Sequence, residues 1–366
     1  MRIAEIIAFL RSFAPPALAE DWDNVGLLVG DAERETDCVM TCLTLTEAVA
    51  REAAGRNAGL IVSHHPLMFR PVQRVTSDTA EGRTVLALIE SRIAVYSPHT
   101  SYDSASEGIN RQLADALGLT DVRVLRPFVS EEECVLVCFV PPEHFEPLRD
   151  ALWRAGAGQV GRYDQCSFVN AGTATFRGGP GSRPAVGSPG ARETTGDLRL
   201  ELPCPRRRLP AVIDALFAAH PYEEPAYNVY PLWQHDTRIG AGRYGRLPQP
   251  MSLGEFNRLV KERLDVEHVQ YVGDPAARVQ RVGIACGSAA DFMRDAHQRR
   301  CEVLLTGEAR YHDCLAAEAL GIALVLPGHH ATERPAMERL AEILAAEFPA
   351  LTVWPSQTER DPVRWD

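Results

Sequence analysis

The sequence predicts a split α/β core that is interrupted by a small α+β domain. Three observations support this fold class. Helical and strand patterns alternate over residues 1–126, the same alternation returns over residues 234–366, and the segment 127–233 between them has a different order of elements. A chain of 366 residues is longer than one ordinary domain, so two or three domains are expected.

The first part of the core alternates helices with short apolar strands. Helices are predicted over residues 46–56 and 80–91, and they lead to strands at 60–62 and 93–96. The helices place apolar side chains three and four residues apart, whereas the strands are continuously apolar. A third helix, near 107–117, ends at a glycine. Alternation of this kind is typical of a layered α/β domain.

The second part of the core repeats this rhythm. Short buried strands are predicted at residues 282–285, 303–305 and 323–326. A final helix is predicted over residues 333–348, because its apolar side chains recur at helical spacing. The two parts are therefore expected to form one α/β core.

The middle segment has the order strand, helix, two strands, helix, strand. This β-α-β-β-α-β order is the ferredoxin-like arrangement, and it predicts an inserted α+β domain over residues 127–233. The predicted elements are a strand at 134–140, a helix at 142–155, a glycine-rich pair of strands within 159–202, a helix at 206–219 and a strand at 227–232.

Composition and charge exclude several classes of protein. The net charge is −11 and the isoelectric point is about 5.5, whereas a general nucleic-acid binder needs a positive field to neutralise phosphates. No apolar stretch approaches the roughly 20 residues of a membrane span. The nine cysteines contain no CxxC pair, which argues against a thiolate zinc site and a disulfide framework. We therefore expect a cytoplasmic protein with neither a nucleic-acid nor a membrane partner.

Histidines follow the predicted strands at the points where the strands end. In open α/β sheets, ligands bind at the carboxyl ends of the strands, so these side chains can converge in space. Two carboxylates accompany them at equal spacing, because Asp103 lies four residues after His99 and Glu333 lies four residues after His329. The histidines that follow strands are His64, His65, His99, His312, His329 and His330.

The adjacent pair His64 and His65 suits two metal ions better than one. Neighbouring side chains on an extended backbone point to opposite sides, so each imidazole can serve a different ion. Three imidazoles and two carboxylates, one of them bridging, would give a dinuclear centre with open positions. Such mixed ligands suit Zn, Mn, Fe, Co or Ni without selecting among them. Two neighbouring ions can share a water, lower its pKa and present a hydroxide nucleophile.

Each of these residues also has a structural interpretation. A single histidine at a strand end is more often hydrogen-bonded than bound to metal. Asp103 alone could equally cap the helix that follows it, and Glu333 alone could equally stabilise the positive end of its own helix. The spacing does not decide whether His329 or His330 is the ligand. The pattern as a whole, with two histidine pairs after apolar strands, favours a metal site.

Five ordered motifs resemble those of the Nif3-like family, whose bacterial members carry the name GTP cyclohydrolase 1 type 2. The resemblance spans the chain and implies a two-metal site in an α/β core that often assembles as a ring-shaped hexamer. The motifs are EDWDNVGLLVG at 20–30, SHHPLMF at 63–69, HTSYD at 99–103, TGEARYH at 306–312 and GHHATE at 328–333. The ligands that the resemblance implies are His64, His65, Asp103, His329 and Glu333.

The middle segment has a likeness of its own. GQVGRYDQCSF at 158–168 and HPYEEPAYNVYPL at 220–232 resemble the insert of the longer members of the family, which is similar to the trimeric PII and CutA-like domains. Two positions depart from the family pattern. Thr44 stands where an acidic residue is common, and Glu308 stands in a TGE segment where TGD is usual. Neither is one of the five ligands, so both departures concern the residues around the ligands.

The site and the resemblance lead to two hypotheses. The first is a metal-dependent hydrolase that acts on a small-molecule substrate, GTP or a related nucleotide or phosphoester. His99 or His312 would then move protons, since unperturbed imidazole titrates near pH 6.5, close to neutrality. The second hypothesis is a non-catalytic metal-binding or regulatory ring, whose insert senses a ligand. The segment 22–24 is either a turn before a strand or a loop that lines the metal pocket.

Overall fold

The structure is a computed structural model that describes residues 1–130 and 133–364. Within these ranges, no helix is both long enough and apolar enough to span a bilayer. The α-helices are α1 (Ile3–Phe13), α2 (Glu47–Gly55), α3 (Ala80–Glu90), α4 (His99–Ser104), α5 (Ile109–Ala116), α6 (Phe145–Ala155), α7 (Leu209–Ala219), α8 (Leu253–Leu264), α9 (Met293–Gln298), α10 (Tyr311–Leu320) and α11 (His329–Glu347). The strands are β1 (Gly26–Val29), β2 (Cys38–Cys42), β3 (Leu60–Ser63), β4 (Ala94–Ser97), β5 (Thr120–Ser130), β6 (Glu133–Val140), β7 (Phe168–Arg177), β8 (Arg192–Pro205), β9 (Tyr227–Pro231), β10 (Gln234–Ser252), β11 (Gln270–Val272), β12 (Arg278–Ala285), β13 (Val303–Thr306), β14 (Ala323–Leu326) and β15 (Thr352–Pro355).

The chain divides into two compact units, and the first, formed by Met1–Phe128 and Thr237–Asp366, contains two sheets. One sheet has the order β1-β4-β3-β2-β15, with β15, β2, β3 and β4 parallel and β1 antiparallel to β4. The other has the order β11-β14-β13-β12-β10-β5, with β12, β13 and β14 parallel. Every residue of β3 and β13 is buried, as expected for parallel strands that are covered on both faces.

One continuous buried cluster joins the two sheets of this unit. It contains Val62 from β3, Ile284 from β12, Leu305 from β13 and Met337 from α11. Apolar side chains removed from water contribute roughly 25 cal/mol per Å² to folding. The shared core therefore fixes the carboxyl ends of strands from both sheets relative to each other, and the predicted ligands follow those ends.

The last helix of the chain starts earlier than predicted. The expected start at residue 333 is wrong, because α11 begins at His329, directly after Gly328 with φ +112°. The first four residues of this helix, HHAT, carry no apolar periodicity from which the start could be found. His329 and Glu333 are therefore four residues apart on one helix, and such residues lie on the same face. Glu333 lies in the second turn, so it does not serve merely as a charge at the helix end.

A short helix that the sequence does not predict carries two of the candidate residues. It is α4, which contains both His99 and Asp103. Asp103 lies inside this helix and does not cap the next one, since α5 has Gly108 at its N-cap. Instead, the backbone oxygen of Asp103 accepts a hydrogen bond of 3.1 Å from Asn110 Nδ2. The turn between α4 and α5 is thereby fixed.

The second unit, Val129–Asp236, contains one antiparallel sheet. Its order is β7-β8-β6-β9, and its elements follow the chain as β6-α6-β7-β8-α7-β9. This is the β-α-β-β-α-β order predicted from the sequence. The glycine-rich strands begin later than the predicted range 159–202, at Phe168. A separate core of side chains from β6, β8, α6 and α7 fills this unit.

Candidate metal centre

The parallel strands of the first unit end beside a cluster of histidines and carboxylates. His64 and His65 follow β3, His99 begins α4 after β4, and His329 begins α11 after β14. His99 has a φ of +32°, in the left-handed region that non-glycine residues rarely adopt. Such strain persists only where the surrounding structure holds it, and it is concentrated at functional sites.

Glu333 lies at the centre of this cluster. Its Oε2 is 3.0 Å from His65 Nε2, 3.0 Å from His329 Nε2 and 3.9 Å from His64 Nε2. Its side chain is only 5% exposed. Asp103 Oδ1 lies 3.6 Å from the same His64 nitrogen. The five residues predicted as ligands from the sequence are thus neighbours in space.

The two adjacent histidines do not point to opposite sides. The rings of His64 and His65 have their centroids 5.2 Å apart, so the expectation from an extended backbone is wrong here. Both residues lie beyond the last residue of β3, where the pleat no longer alternates the side chains. Their amides still donate to the carbonyls of Cys42 and Leu43, at 2.9 Å each. Both rings therefore enter the same cluster.

Two overlapping groups of side chains could each hold a metal ion. One group is His64, His65 and His99, and the other is His65, His329 and Glu333. In each group, one ligand atom per residue lies within 4.8 Å of the others. Since His65 belongs to both groups, the two potential ion positions are adjacent.

The buried nitrogens of His64 fit a metal ion. The side chain is fully buried, and among the described residues neither Nδ1 nor Nε2 has a hydrogen-bond partner. A buried polar group without a partner is costly, at about 1–3 kcal/mol. A cation at this point would satisfy the imidazole. Imidazole nitrogens and carboxylate oxygens together form a donor set that suits divalent first-row metals.

The charges in the cluster perturb one another strongly. Hydrogen bonds from His329 and His65 hold the pKa of Glu333 well below its usual range, even though burial opposes this. The hydrogen bond to Glu333 also raises the pKa of His329 to about 9. Burial, together with the charge of Glu333, raises the pKa of Asp103 to about 7. Burial depresses the pKa of His64 well below its usual value. Neighbouring side chains whose pKa values are shifted in opposite directions are typical of functional sites.

The outer nitrogens of two candidate ligands are held by polar side chains. His65 Nδ1 lies 2.7 Å from Thr44 Oγ1, and His329 Nδ1 lies 3.0 Å from Glu308 Oε1. These contacts leave both Nε2 atoms directed at Glu333. Histidine ligands of metals commonly use their second nitrogen in this way, which fixes the orientation of the ring. The two positions that depart from the family pattern, Thr44 and Glu308, are therefore the supporting residues.

Asp23 holds His99 in the same manner. Its Oδ1 lies 2.6 Å from His99 Nδ1, and its Oδ2 accepts hydrogen bonds from the backbone and hydroxyl of Thr100. Although burial opposes it, the hydrogen bond from His99 and those from Thr100 lower the pKa of Asp23 to about 2. The segment 22–24 therefore contacts the site and is not merely a turn. The sequence signal was present in the motif, but spacing alone could not link Asp23 to His99.

Two glycines and a cysteine shape the floor of the site. A Cβ on Gly287 would lie 2.2 Å from Glu333 Oε1, and one on Gly307 would lie 2.8 Å from the Cα of His329. Only glycine permits this approach. Cys286 Sγ donates to Asp103 Oδ1 at 3.2 Å, and burial raises the pKa of this thiol well above its usual range. The sequence analysis missed these residues, since single glycines and cysteines carry no pattern.

A cavity of about 480 Å³ opens onto the cluster. Trp22 and Phe69 stand at this cavity, with 59% and 48% of their surfaces exposed. Their ring centroids are 5.7 Å apart, and each lies about 6 Å from the ring of His99, at 6.1 and 6.2 Å. Asn24 Nδ2 donates to the carbonyl of Met68 at 2.6 Å, which ties the two aromatic loops together.

Two of the histidines that follow strands lie outside the cluster. His312 is exposed in the first turn of α10, where its ring contacts Tyr311 and does not line the cavity. His330 is half-buried, and burial lowers its pKa. Within the described residues, neither belongs to a group that could hold a metal. Of the pair at the start of α11, it is His329 that faces Glu333.

The fold and the cluster define an α/β protein with a histidine–carboxylate site that could hold a metal ion. Comparisons with known proteins identify the family. The profile of Duf34/NIF3 (NGG1p interacting factor 3) matches residues 1–362. The chain belongs to this family, which confirms the resemblance seen in the motifs.

Relatives from several bacteria are similar to the chain over most of their length. The chain is 36% identical over 368 residues to the GTP cyclohydrolase 1 type 2 homolog of Halalkalibacterium halodurans, covering 99% of each chain. It is 37% identical over 327 residues to the protein of the same name from Bacillus subtilis, covering 89% of this chain and 88% of that one. A solved structure of a Bacillus cereus protein related to NIF3 matches with a TM-score of 0.71 and 35% identity, over 100% of this chain and 99% of that chain.

Proposed function

We propose that this protein is a metal-dependent hydrolase with a dinuclear divalent-metal centre. The observation that carries the proposal is the position of Glu333 Oε2, at 3.0 Å from both His65 Nε2 and His329 Nε2. Glu333 would hold a divalent ion together with these two imidazoles, and the adjoining group of His64, His65 and His99 would offer ligands for a neighbouring ion. The unpartnered nitrogens of His64 and the nearby Asp103 add ligands on one side.

The proposed ligands are those predicted from the sequence. The metals that suit this set are Zn, Mn, Fe, Co and Ni. Two such ions, when bound, lower the pKa of water and thereby supply a hydroxide nucleophile at neutral pH. The ligands are His64, His65, Asp103, His329 and Glu333.

His99 is the residue that we propose to move a proton. Its Nδ1 is engaged by Asp23, so the exchangeable position is Nε2. A carboxylate on one ring nitrogen fixes the tautomer and stabilises the protonated ring. His99 also lies beside the cavity, where a substrate would meet it. His312, the second candidate from the sequence, is exposed away from this cavity and is the weaker choice.

The proposed substrate is a nucleotide or a related small molecule. Trp22 and Phe69 present half-exposed aromatic faces next to His99, and nucleobases stack on such faces. The names of the relatives suggest GTP. Opening and deformylating its imidazole ring uses two waters. The first adds at C8 and breaks one carbon–nitrogen bond, which leaves a formamide, and the second hydrolyses that formamide, breaks the other carbon–nitrogen bond and releases formate. Both steps need a hydroxide nucleophile and a group that returns a proton to nitrogen.

A second candidate function is a regulatory assembly in which the insert senses a ligand. The second unit has its own cavity of about 880 Å³, lined in part by Asp197, Arg199, Tyr222 and Glu223. Tyr222 donates to the buried Asp197 at 3.0 Å. For this alternative we propose that the insert is similar to the PII and CutA-like domains, that six chains form a ring and that the protein is cytoplasmic. Light scattering on purified protein tests the ring.

The proposed hydrolase is tested by metal content and turnover together. Protein purified without chelators or a histidine tag is incubated with each of the five metals and screened against nucleotides and phosphoesters. We expect metal-dependent turnover that is lost in His65→Ala and retained in His297→Ala, which alters an exposed histidine of α9. Full metal occupancy without turnover, combined with a ligand that binds the second unit, would favour the regulator instead.

A further inference from the structure

The segment that follows β15 reaches back to the metal-ligand cluster through Glu359. The side chain of Glu359 is 5% exposed. Its Oε2 accepts a hydrogen bond of 2.9 Å from the amide of Leu43, and its Oε1 accepts one of 2.5 Å from the amide of Thr44. Both amides lie in the loop between β2 and α2. One carboxylate therefore holds two consecutive residues at the carboxyl end of β2.

The two residues that Glu359 holds are also the two that hold His65. Thr44 Oγ1 lies 2.7 Å from His65 Nδ1. The carbonyl of Leu43 accepts a hydrogen bond of 2.9 Å from the amide of His65. The first contact orients the ring, and the second fixes the backbone. Glu359 is thus connected to His65 by two separate routes of hydrogen bonds.

Glu359 has a third partner next to Glu333. Arg334 Nε lies 2.8 Å from Glu359 Oε2, and the side chain of Arg334 is 11% exposed. Removing one member of a buried ion pair leaves an uncompensated charge and is strongly unfavourable. The pair therefore keeps the segment after β15 fixed to α11. Glu359 touches both the loop that supports His65 and the residue that follows Glu333.

We propose that Glu359 is a positioning residue for the metal centre. It sets the orientation of His65 through Leu43 and Thr44, and it thereby raises the affinity of the site for divalent metal. This role rests on the metal centre proposed above. A carboxylate commonly contacts the outer nitrogen of a metal-bound histidine directly. In this chain the carboxylate acts through a threonine hydroxyl and its backbone instead.

The test is the binding of Co²⁺, followed through its visible absorption, in wild type and Glu359→Gln. We expect affinity to fall about tenfold or more, the usual effect of removing such a supporting residue, and the absorption bands to shift because the geometry changes. The control is Asp361→Asn, which removes the same charge from the same segment. Among the contacts described, the one hydrogen bond that Asp361 accepts comes from the nearby amide of Val363, at 2.9 Å. This variant should therefore bind Co²⁺ like wild type.

Two variants at Thr44 separate positioning of His65 from general stability. Thr44→Val removes the hydroxyl that contacts His65 but keeps the amide that Glu359 holds, so it should also weaken Co²⁺ binding. This variant tests the contact with His65 independently of whether Glu359→Gln folds. In the double variant Thr44→Asp/Glu359→Gln, a carboxylate reaches His65 directly and affinity should recover.

Four results would overturn the proposal. They are wild-type affinity in Glu359→Gln, wild-type affinity in Thr44→Val, equal weakening in Asp361→Asn, and no recovery in the double variant. Wild-type protein that binds no Co²⁺ would instead refute the metal centre itself, and the role of Glu359 with it.

Discussion

Replacing Glu333 by glutamine removes the charge at the centre of the cluster and keeps the shape of the side chain. In the metal-free chain, this removes one partner of a buried charged pair, at a cost of about 3–5 kcal/mol. In the loaded chain, the lost charge faces at least one ion with two charges in place of one protonated imidazole, so the cost at least doubles, to about 6–10 kcal/mol. The difference of about 3–5 kcal/mol lowers metal affinity by roughly two to three and a half orders of magnitude.

Competition with a chromophoric chelator measures this affinity, and plasma mass spectrometry measures the metal content of the purified chains. We expect about two ions per wild-type chain, as a two-metal hydrolase requires, and a clear loss in Glu333→Gln. The matched control is Glu342→Gln, on the same helix, because Glu342 is exposed and pairs only with Arg339 among the contacts described. Affinity in Glu333→Gln within about threefold of wild type, a difference of under 1 kcal/mol, would refute the reasoning.

Three further predictions concern Asp23, Trp22 and Ser252. The pKa of Asp23 is lowered from 3.8 to about 2, so its charge stabilises the fold above about pH 4 and this contribution is lost as the pH falls through about 2. Asp23→Asn should therefore lower the unfolding temperature at neutral pH and much less at pH 2, where about half of the Asp23 carboxyl groups in the folded chain are protonated. An equal loss at both pH values would contradict this. Trp22→Ala should weaken nucleotide binding, measured by calorimetry, by about 5- to 150-fold, the contribution of one stacked base. The control is Trp233→Ala, at an exposed tryptophan of the second unit, which should leave binding unchanged, and equal effects of the two variants would exclude stacking. Ser252→Ala breaks the capping box of α8 and should cost about 1 kcal/mol in urea unfolding, and no change would show that the cap is redundant.

The sequence was sufficient to predict the helices and strands whose apolar pattern is uninterrupted. The strand predicted at 323–326 coincides with β14, and the predicted helix at 46–56 overlaps α2 to within one residue at each end. In contrast, α4 has only six residues and a polar sequence, HTSYDS. Its side chains are held by tertiary contacts, such as the hydrogen bond of 3.3 Å from the buried Tyr102 hydroxyl to the Ala336 carbonyl. No local pattern could have predicted that helix.

The candidate ligands could be found because they follow strands, whereas spacing could not show which ligand each supporting residue holds. Spacing left His329 and His330 equivalent, and the geometry distinguishes them because only His329 lies near Glu333. The contact between Asp23 and His99 spans 76 residues, and that between Thr44 and Glu359 spans 315. Contacts this distant depend on how the sheets pack, which periodicity does not encode. Whether the five candidates bind metal remains a prediction for the measurements above.

The pairing of β15 with β2 has a consequence for synthesis of the protein. β15 joins the sheet that begins near residue 26 only after residue 355 has left the ribosome, and Glu359 follows it. A nascent chain that has been made as far as Glu347 already carries every candidate ligand. It still lacks the edge strand and the carboxylate that support the loop behind His65. In the proposed metal centre, the loop behind His65 would therefore gain this support only once Glu359 has been made, and metal capture would come late in synthesis.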